Sequence, residues 1–187
     1  KLRFFVSGGA PLVKDIAEFF LAIGIPIYEG YGLTETSPVI SVNYPGHHRL
    51  GSVGQPLENL ILKFSEEGEL HVEGPSVFKG YWNQPEKTAE ALQGQSFSTG
   101  DIGHIDQDGY LFITDRKKDL IVTAGGKNIA PLELENLFKA DKFVANVMAY
   151  GDRKPYLTAL VVPDFEALQK YADYKHIDFL DQCDLVR

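Results

Sequence analysis

The sequence predicts an α/β plus α+β fold in three regions: a β-α-β unit over residues 1–50, an antiparallel β region over residues 51–115 and a small α+β region over residues 116–187. Three observations carry this prediction. An amphipathic helical stretch lies between two short apolar runs near the start. Paired short strands with turn signals fill the middle. Strand, helix, strand, strand and helix patterns then follow one another towards the end.

The first region is predicted to run strand, helix, strand. The runs "LRFFV" and "IPIYE" have the apolar character of buried strands, while Pro11 suits the first turn of the helix and Gly24 its end. The apolar residues of this helix recur at i, i+3, i+4 and i+7: Ile16, Phe19, Phe20 and Ile23. Because ligands of open α/β sheets bind outside the carboxyl ends of the strands, we expect the loops "SGGAP" and "YGLTETSP" to share a site.

Short strands and turns dominate the second region. The segments "LILKF", "SEEGE" and "LHVEG" predict one hairpin, and "GHID", "QDG" and "YLFIT" predict another. A short helix, "QPEKTAEAL", lies between the hairpins. The third region begins with the polar run "DRKKD", whose composition is typical of a junction. The segments that follow are the strand "DLIVT", the loop "AGGKN", the helix "PLELENLFKA", the strands "VANVMAYGD" and "YLTALVVPD", and the helix "FEALQKYADY".

Composition narrows the class of protein. A net charge of −8 argues against a nucleic-acid binder, because phosphate contacts need clustered Lys and Arg. No apolar run approaches the roughly 18 residues of a membrane span. The single Cys183 favours a reducing compartment, so we expect a cytoplasmic location and leave peripheral membrane contact and oligomeric state open. Lys1 lies inside a predicted strand that has few sheet neighbours, so we expect a piece of a longer protein, truncated at both ends.

The stretch "YEGYGLTETSP", residues 28–38, starts like the G-x-G-x-x-G turn of dinucleotide-binding folds, but Glu35 occupies the third glycine position. A Rossmann turn is therefore disfavoured, and the chain contains no P-loop motif. One interpretation is an ordinary polar loop. The other is an ATP site, in which Tyr31 offers an aromatic face to the base, the Thr34 hydroxyl donates to a phosphate and the Glu35 carboxylate holds Mg²⁺.

Three further stretches are compatible with a nucleotide site, and each has a simpler interpretation. In "STGD" we expect Asp101 to lie in a loop, where it could accept from a ribose diol or serve as a turn residue. In "DRKKD" the guanidinium of Arg116 could reach ribose or phosphate, or belong to a solvated run of charges. The glycine-rich "TAGGKNIAP" could approach a ligand closely or form a strand-to-helix turn before Pro131.

In their order along the chain, "SGGAP", "YGLTETSP", "STGD" and "YLFITDRKKDLIVTAGGKNIAP" resemble the motifs of the AMP-forming acyl-CoA synthetase (adenylate-forming ligase) family, from Ser7 to about Pro163. The last motif looks most like the long-chain fatty acid–CoA ligase branch. The resemblance implies a ligase of fatty acid metabolism that works in two steps. ATP activates the acid as acyl-AMP with release of pyrophosphate, and the CoA thiol then attacks the acyl group. ATP, AMP, Mg²⁺ and CoA are the implied ligands.

The resemblance also implies roles for the residues that match the family motifs. Tyr31 would stack on adenine, Thr34 would contact the α-phosphate, and Glu35 would bind Mg²⁺. Asp101 and Arg116 would hold the ribose. The full set implied to contact the nucleotide or the acyl group is Gly8, Gly9, Ala10, Tyr31, Thr34, Asp101 and Arg116.

In the third region the resemblance implies a hinge at Lys118, about which the small domain swings between the two half-reactions. After that swing Gly125, Gly126 and Asn128 would face the pantetheine of CoA. The family's phosphate loop would lie before Lys1, and no residue here matches its late catalytic lysine, so we expect the chain alone to be inactive in adenylation. Two alternatives stay open: an adenylation domain that loads a carrier protein, and a non-catalytic module that binds nucleotides or acyl groups.

Overall fold

A computed structural model describes residues 3–186, without the side chains of Glu133 and Leu185. Lys1 and Leu2, at the start of the first predicted strand, lie outside the described residues. The chain divides between Lys118 and Asp119 into two compact units. The strands of the first unit are β1 (Phe5–Ser7), β2 (Ile27–Gly32), β3 (Val39–Val42), β4 (Gln55–Pro56), β5 (Ile61–Phe64), β6 (Glu69–Glu73), β7 (Leu92–Gln93), β8 (Ser96–Ile105) and β9 (Leu111–Arg116), and its helices are α1 (Lys14–Ala22) and α2 (Pro85–Ala91).

The predicted β-α-β unit is confirmed, because β1 and β2 pair in parallel and α1 connects them. The expected position of Pro11 in the first helical turn is wrong, since the helix is preceded by Val13 with an extended backbone. The Leu12 N–H instead donates to Glu29 on β2, so the residues just before the helix are bonded to the sheet. Gly24 follows the helix with a φ of +79°, as its predicted place at the C-terminal end requires.

The apolar face of α1 is exposed over most of its length. Ile16, Phe19 and Ile23 are each about half exposed or more, and Phe20 is half-buried. Ala17 is the buried residue of the helix. The periodicity therefore gives the helix correctly, but among the described residues most of this apolar face is left uncovered.

Antiparallel pairing extends β2 beyond its predicted end. β3 pairs with β2 and β4 pairs with β3, so Gly30, Tyr31 and Gly32 lie in a strand rather than in the predicted loop. A Cβ on Gly32 would lie only 1.7 Å from the carbonyl oxygen of Pro38. Gly32, which matches the second glycine of the dinucleotide-binding pattern in the sequence, is thus required by the close approach of two backbones.

Both predicted hairpins are confirmed as parts of a five-stranded sheet with the order β5-β6-β8-β7, in which β9 also pairs with β8. The predicted loop position of Asp101 is wrong, because Asp101 belongs to β8. The β6–β8 register shifts between Glu69 and His71, so the backbone around Gly100 bulges opposite β6. The core of the first unit consists of Ile40, Leu60, Leu70, Val72 and Leu111.

Gly54→Ala is expected to destabilise the protein severely. Gly54 is buried with a φ of +92°, and a Cβ there would lie 1.9 Å from the carbonyl carbon of Val42. Gly46→Ala is the matched control, since Gly46 has a φ of +84° but nothing within 4 Å of an added Cβ. The control should cost about 1–2 kcal/mol for the left-handed backbone alone. Urea unfolding should show about 1–3 kcal/mol of additional loss for Gly54→Ala from the backbone clash, and equal losses would contradict it.

The second unit is a small α+β arrangement, as predicted. Its elements are β10 (Ile121–Val122), β11 (Asn128–Ile129), α3 (Pro131–Lys139), β12 (Val144–Tyr150), β13 (Thr158–Pro163) and α4 (Phe165–Lys175). β10 pairs with β11 and β12 pairs with β13, both antiparallel. The glycine-rich "AGGKN" stretch is therefore a hairpin turn, and Asn128 lies in β11 rather than in a loop. Between residues 3 and 186 no helix is both long and apolar enough to cross a bilayer.

Candidate functional site

The carboxyl ends of β1 and β2 bring the two predicted ligand loops together. Because the strands are parallel, both chains leave the sheet at the same edge. A Cβ on Gly8 would lie 3.4 Å from the carbonyl oxygen of Gly30, and the Leu12 N–H donates to Glu29 Oε1 over 3.1 Å. Burial raises the pKa of the Glu29 carboxyl, although the bond from Leu12 opposes the rise. Gly8, Gly9 and Ala10 of this loop are exposed.

A single 3₁₀ turn, Thr34–Thr36, follows β2 and presents two of the predicted site residues. Thr36 is fully buried, and its hydroxyl accepts from the Leu33 N–H over 3.1 Å and donates to the Pro38 carbonyl over 2.8 Å. These bonds fix the turn from within. Thr34 is exposed, and within residues 3–186 its hydroxyl has no hydrogen-bond partner, so it is free to meet a ligand.

The Glu35 carboxylate is oriented by a residue far away in the sequence. Tyr81 donates its hydroxyl to Glu35 Oε1 over 2.8 Å. The Phe78 N–H donates to the Glu35 carbonyl over 2.8 Å, so backbone and side chain are both held by the same segment. Tyr81 is itself anchored, since its N–H donates to Thr88 Oγ1 over 2.9 Å. Burial and the bond to Glu35 raise the pKa of Tyr81 to about 12, so the phenol stays a donor at neutral pH.

Asp101 is the centre of a second group of predicted residues. Its side chain is almost wholly buried. Tyr31 donates its hydroxyl to Asp101 Oδ2, and Arg116 Nε lies 3.2 Å from Asp101 Oδ1. Asp101 and Arg116 face each other across the β8–β9 ladder, which places them side by side. Burial, followed by the hydrogen bond to Asp101, raises the pKa of Tyr31 well above its ordinary value.

This arrangement leaves acceptor capacity for a ligand. A carboxylate offers about four lone-pair sites, and Tyr31 and Arg116 take one on each oxygen of Asp101. Each oxygen can therefore accept a further hydrogen bond, which suits the two hydroxyls of a ribose. The Arg116 side chain is more than half exposed, so its remaining N–H groups are open to solvent or ligand.

The other four predicted residues lie at the boundary of the first unit and in the second unit. Lys118 is exposed, lies in the 3₁₀ turn Lys117–Asp119, and is the last residue of the first unit. Gly125, Gly126 and Asn128 belong to the second unit and are exposed around the β10–β11 turn. The Gly126 N–H closes that turn by donating to the Thr123 carbonyl over 2.8 Å.

The residues present fit a magnesium ion that accompanies a nucleotide. Mg²⁺ prefers oxygen ligands and is usually held by one or two carboxylates together with substrate phosphates. Glu35 supplies one such carboxylate. Tyr81 donates to Oε1 of Glu35, and among the described residues no group donates to Oε2 of Glu35. Across the part of the chain that the structure describes, no cluster of three or more His, Cys, Asp or Glu residues could form a metal cage.

Tyr81 is a residue that sequence reasoning missed. It lies 46 positions from Glu35, and the surrounding "FKGYWN" contains no pattern that points to a carboxylate partner. The two meet because the Phe78 N–H joins this segment to the 3₁₀ turn. Only a long-range contact could have revealed the pair.

The fold, with two loops that meet at the carboxyl ends of parallel strands, is that of the adenylate-forming class. Residues 1–82 match the family model described as AMP-binding enzyme, and residues 118–183 match the AMP-binding enzyme C-terminal domain. The chain belongs to the AMP-forming acyl-CoA synthetase, or adenylate-forming ligase, family, as the resemblance of its motifs implied.

Several relatives are similar to nearly the whole chain. The long-chain-fatty-acid–CoA ligase FadD15 of Mycobacterium bovis is 44% identical over 164 residues, which are 88% of this chain and 27% of that protein. The putative fatty-acid–CoA ligase fadD11 of Mycobacterium tuberculosis is 46% identical over 180 residues, 95% of this chain and 32% of that protein. O-succinylbenzoate coenzyme A synthetase of Bacillus subtilis, solved with ATP and a magnesium ion, has a TM-score of 0.76 at 31% identity, with 87% of this chain and 37% of that chain covered. The chain thus spans about a third of the length of these proteins.

Proposed function

We propose that the enzyme containing this chain activates a long-chain fatty acid with ATP, forms acyl-AMP and pyrophosphate, and transfers the acyl group to CoA. One observation carries the proposal: Tyr31, Asp101 and Arg116, which come from three separate motifs, meet in one group, in which Asp101 accepts a hydrogen bond from Tyr31 and forms an ion pair with Arg116. The relatives named as fatty-acid–CoA ligases support the choice of a fatty acid as substrate. The solved relative with ATP and magnesium supports the choice of nucleotide and metal.

In this proposal the first unit binds and orients ATP. The Tyr31 ring stacks on adenine while its hydroxyl stays bonded to Asp101. Asp101 accepts from the ribose hydroxyls, and Arg116 donates to the same sugar. The exposed Thr34 hydroxyl donates to the α-phosphate. The loop of Gly8, Gly9 and Ala10, which lies against β2, lines the adenine and acyl side.

Glu35 holds Mg²⁺ in this proposal. A bound magnesium ion stabilises the charge that develops on the phosphates. The role of this chain is to hold the Glu35 carboxylate in one orientation, which Tyr81 and the Phe78 N–H accomplish.

We also propose that Lys118 is the hinge between the two half-reactions. The division of the chain between Lys118 and Asp119 supports this role, because hinges are a few residues that absorb a backbone change between rigid bodies. Gly125, Gly126 and Asn128 would contact the pantetheine of CoA. Their exposure supports a contact in which the main chain approaches the thiol arm closely.

The proposal is tested by assaying the complete polypeptide with ATP, Mg²⁺, CoA and a series of acids. Palmitate, octanoate and 2-succinylbenzoate separate a long-chain ligase from a medium-chain enzyme and from an enzyme like the Bacillus relative. We expect one AMP, one pyrophosphate and one thioester for each ATP consumed, with the highest kcat/KM for palmitate. Acid-dependent ATP–pyrophosphate exchange without thioester would favour a carrier protein as the acceptor. No exchange with any acid would contradict adenylation.

A further inference from the structure

A buried carboxylate that belongs to none of the four family motifs lies beside the group around Asp101. Glu69, on β6, is 8% exposed. Its Oε2 lies 2.9 Å from Lys117 Nζ, and its Oε1 accepts from the Gly100 N–H over 3.3 Å. The same ammonium lies 2.8 Å from Oε2 of Glu67, whose side chain is exposed. Glu69 is therefore a bridge between the "STGD" segment and the "DRKKD" segment.

The two bonds of Glu69 are placed next to the residues proposed to hold the ribose. Gly100 directly precedes Asp101, and Lys117 directly follows Arg116. Asp101 and Arg116 are themselves partners in the β8–β9 register. Glu69, on β6, thus bonds to Gly100 in β8 and to Lys117 in the 3₁₀ turn that follows β9.

The backbone of β8 around Gly100 is irregular, so bonds from side chains are needed to hold it in one conformation. The β6–β8 register shifts between Glu69 and His71, and Gly100 has a φ of +73°. Regular ladder bonds are lost in a bulge, so side chains must fix its shape. Thr99 does so by donating to the Leu70 carbonyl over 2.8 Å, and Glu69 does so at the next residue.

We propose that Glu69 is a positioning residue for nucleotide binding: its carboxylate, bonded to the Gly100 N–H and the Lys117 ammonium, sets the separation of Asp101 and Arg116 that a ribose requires. The inference rests on the proposed function, since it assumes that these two residues contact the ribose. The Lys117 side chain is about half exposed, and an ion pair with a solvent-exposed partner contributes little to stability. The benefit of this pair is therefore expected in alignment rather than in folding.

Glu69→Gln in the complete enzyme tests the proposal. Glutamine has the same shape and can still accept from the Gly100 N–H, but it removes the charge that pairs with Lys117. We expect AMP to bind about 10-fold more weakly by calorimetry, since bonds to charged groups contribute more than neutral ones. The KM for ATP should rise by a similar factor, while kcat at saturating ATP and the KM for CoA stay within about twofold.

Glu67→Gln is the matched control, because it removes the exposed partner of the same lysine. Exposed ion pairs contribute little, so the dissociation constant of AMP should stay within about twofold of wild type. The double variant Glu69→Gln/Lys117→Gln leaves no buried charge behind. It should therefore fold even if one single variant does not, and it should bind AMP as weakly as Glu69→Gln.

The outcomes separate this role from the proposed function. If Asp101→Asn weakens AMP binding while Glu69→Gln and the double variant do not, the positioning role is overturned and the ribose site stands. Equal effects of Glu67→Gln and Glu69→Gln would also overturn it, since only general electrostatics would then be involved. Wild-type enzyme that fails to bind AMP would overturn the ribose site and the positioning role together.

Discussion

Glu35→Gln in the complete enzyme is expected to slow acyl-adenylate formation about 100- to 1,000-fold, because metal stabilisation of phosphate charge contributes several kcal/mol and each 1.4 kcal/mol is a factor of ten. Glutamine can still accept from Tyr81, which donates to Glu35 Oε1 over 2.8 Å, so the turn should keep its shape. Only the charge that Mg²⁺ requires is lost. Single-turnover quenching with labelled ATP measures the rate, and a Mg²⁺ titration should show a higher half-saturating concentration.

Substitutions of Tyr31 are expected to weaken ATP binding rather than to slow adenylation, in contrast to substitutions of Glu35. Base–aromatic stacking contributes about 1–3 kcal/mol, so Tyr31→Ala should mainly raise the KM for ATP and lower the adenylation rate at saturating ATP less than Glu35→Ala does. Tyr31→Phe keeps the ring and removes the hydroxyl that donates to Asp101. This variant therefore distinguishes the contribution of stacking on adenine from the contribution of the hydrogen bond to the Asp101 carboxylate. Equal or opposite effects of Glu35→Ala and Tyr31→Ala on the single-turnover rate would contradict this division of roles.

Local pattern was sufficient to predict most of the elements. The apolar period of residues 16–23 predicts α1, and Asp-Gly turn chemistry predicts the β8–β9 hairpin; both are found. The predictions of secondary structure are wrong where pairing with another strand determines the local conformation. Gly30 to Gly32 form a strand because β3 pairs with them, and β3 was not predicted as a strand. Asp101 lies in β8 because β6 and β9 pair on either side of it.

The sequence predicts candidate site residues but not the contacts that their side chains make. Motif order identified Tyr31, Asp101 and Arg116, and the structure brings these three together. No periodicity or turn preference connects Glu35 with Tyr81, or Glu69 with Lys117, since these pairs are 46 and 48 positions apart. Such pairs depend on sheet topology, which a single sequence encodes only through many weak preferences. The residues that orient a site are for this reason harder to find than those that contact a ligand.

Asp101→Asn is the second prediction with a large expected effect. Asparagine has nearly the same shape and its carbonyl can still accept from Tyr31, but it offers Arg116 no charge and a ribose only one acceptor atom. Hydrogen bonds to a charged acceptor contribute about 1.5–3 kcal/mol. The dissociation constant of AMP should therefore rise about 10- to 150-fold. Because the Arg116 side chain is more than half exposed, water can solvate the orphaned guanidinium, and we expect the variant to fold.

The decisive measurement compares AMP with 2′,3′-dideoxy-AMP, which lacks both ribose hydroxyls. Wild-type enzyme should bind the dideoxy nucleotide about 10- to 150-fold more weakly than AMP, since the acceptors of Asp101 are then unused. In Asp101→Asn most of that discrimination should disappear, because the contact is already lost. Asp108→Asn, at an exposed aspartate in the turn of the same hairpin, should discriminate like wild type. Asp101→Asn could weaken AMP binding but still discriminate against the dideoxy nucleotide like wild type. In that case the Asp101 carboxylate does not contact the sugar, and other residues bind the ribose hydroxyls.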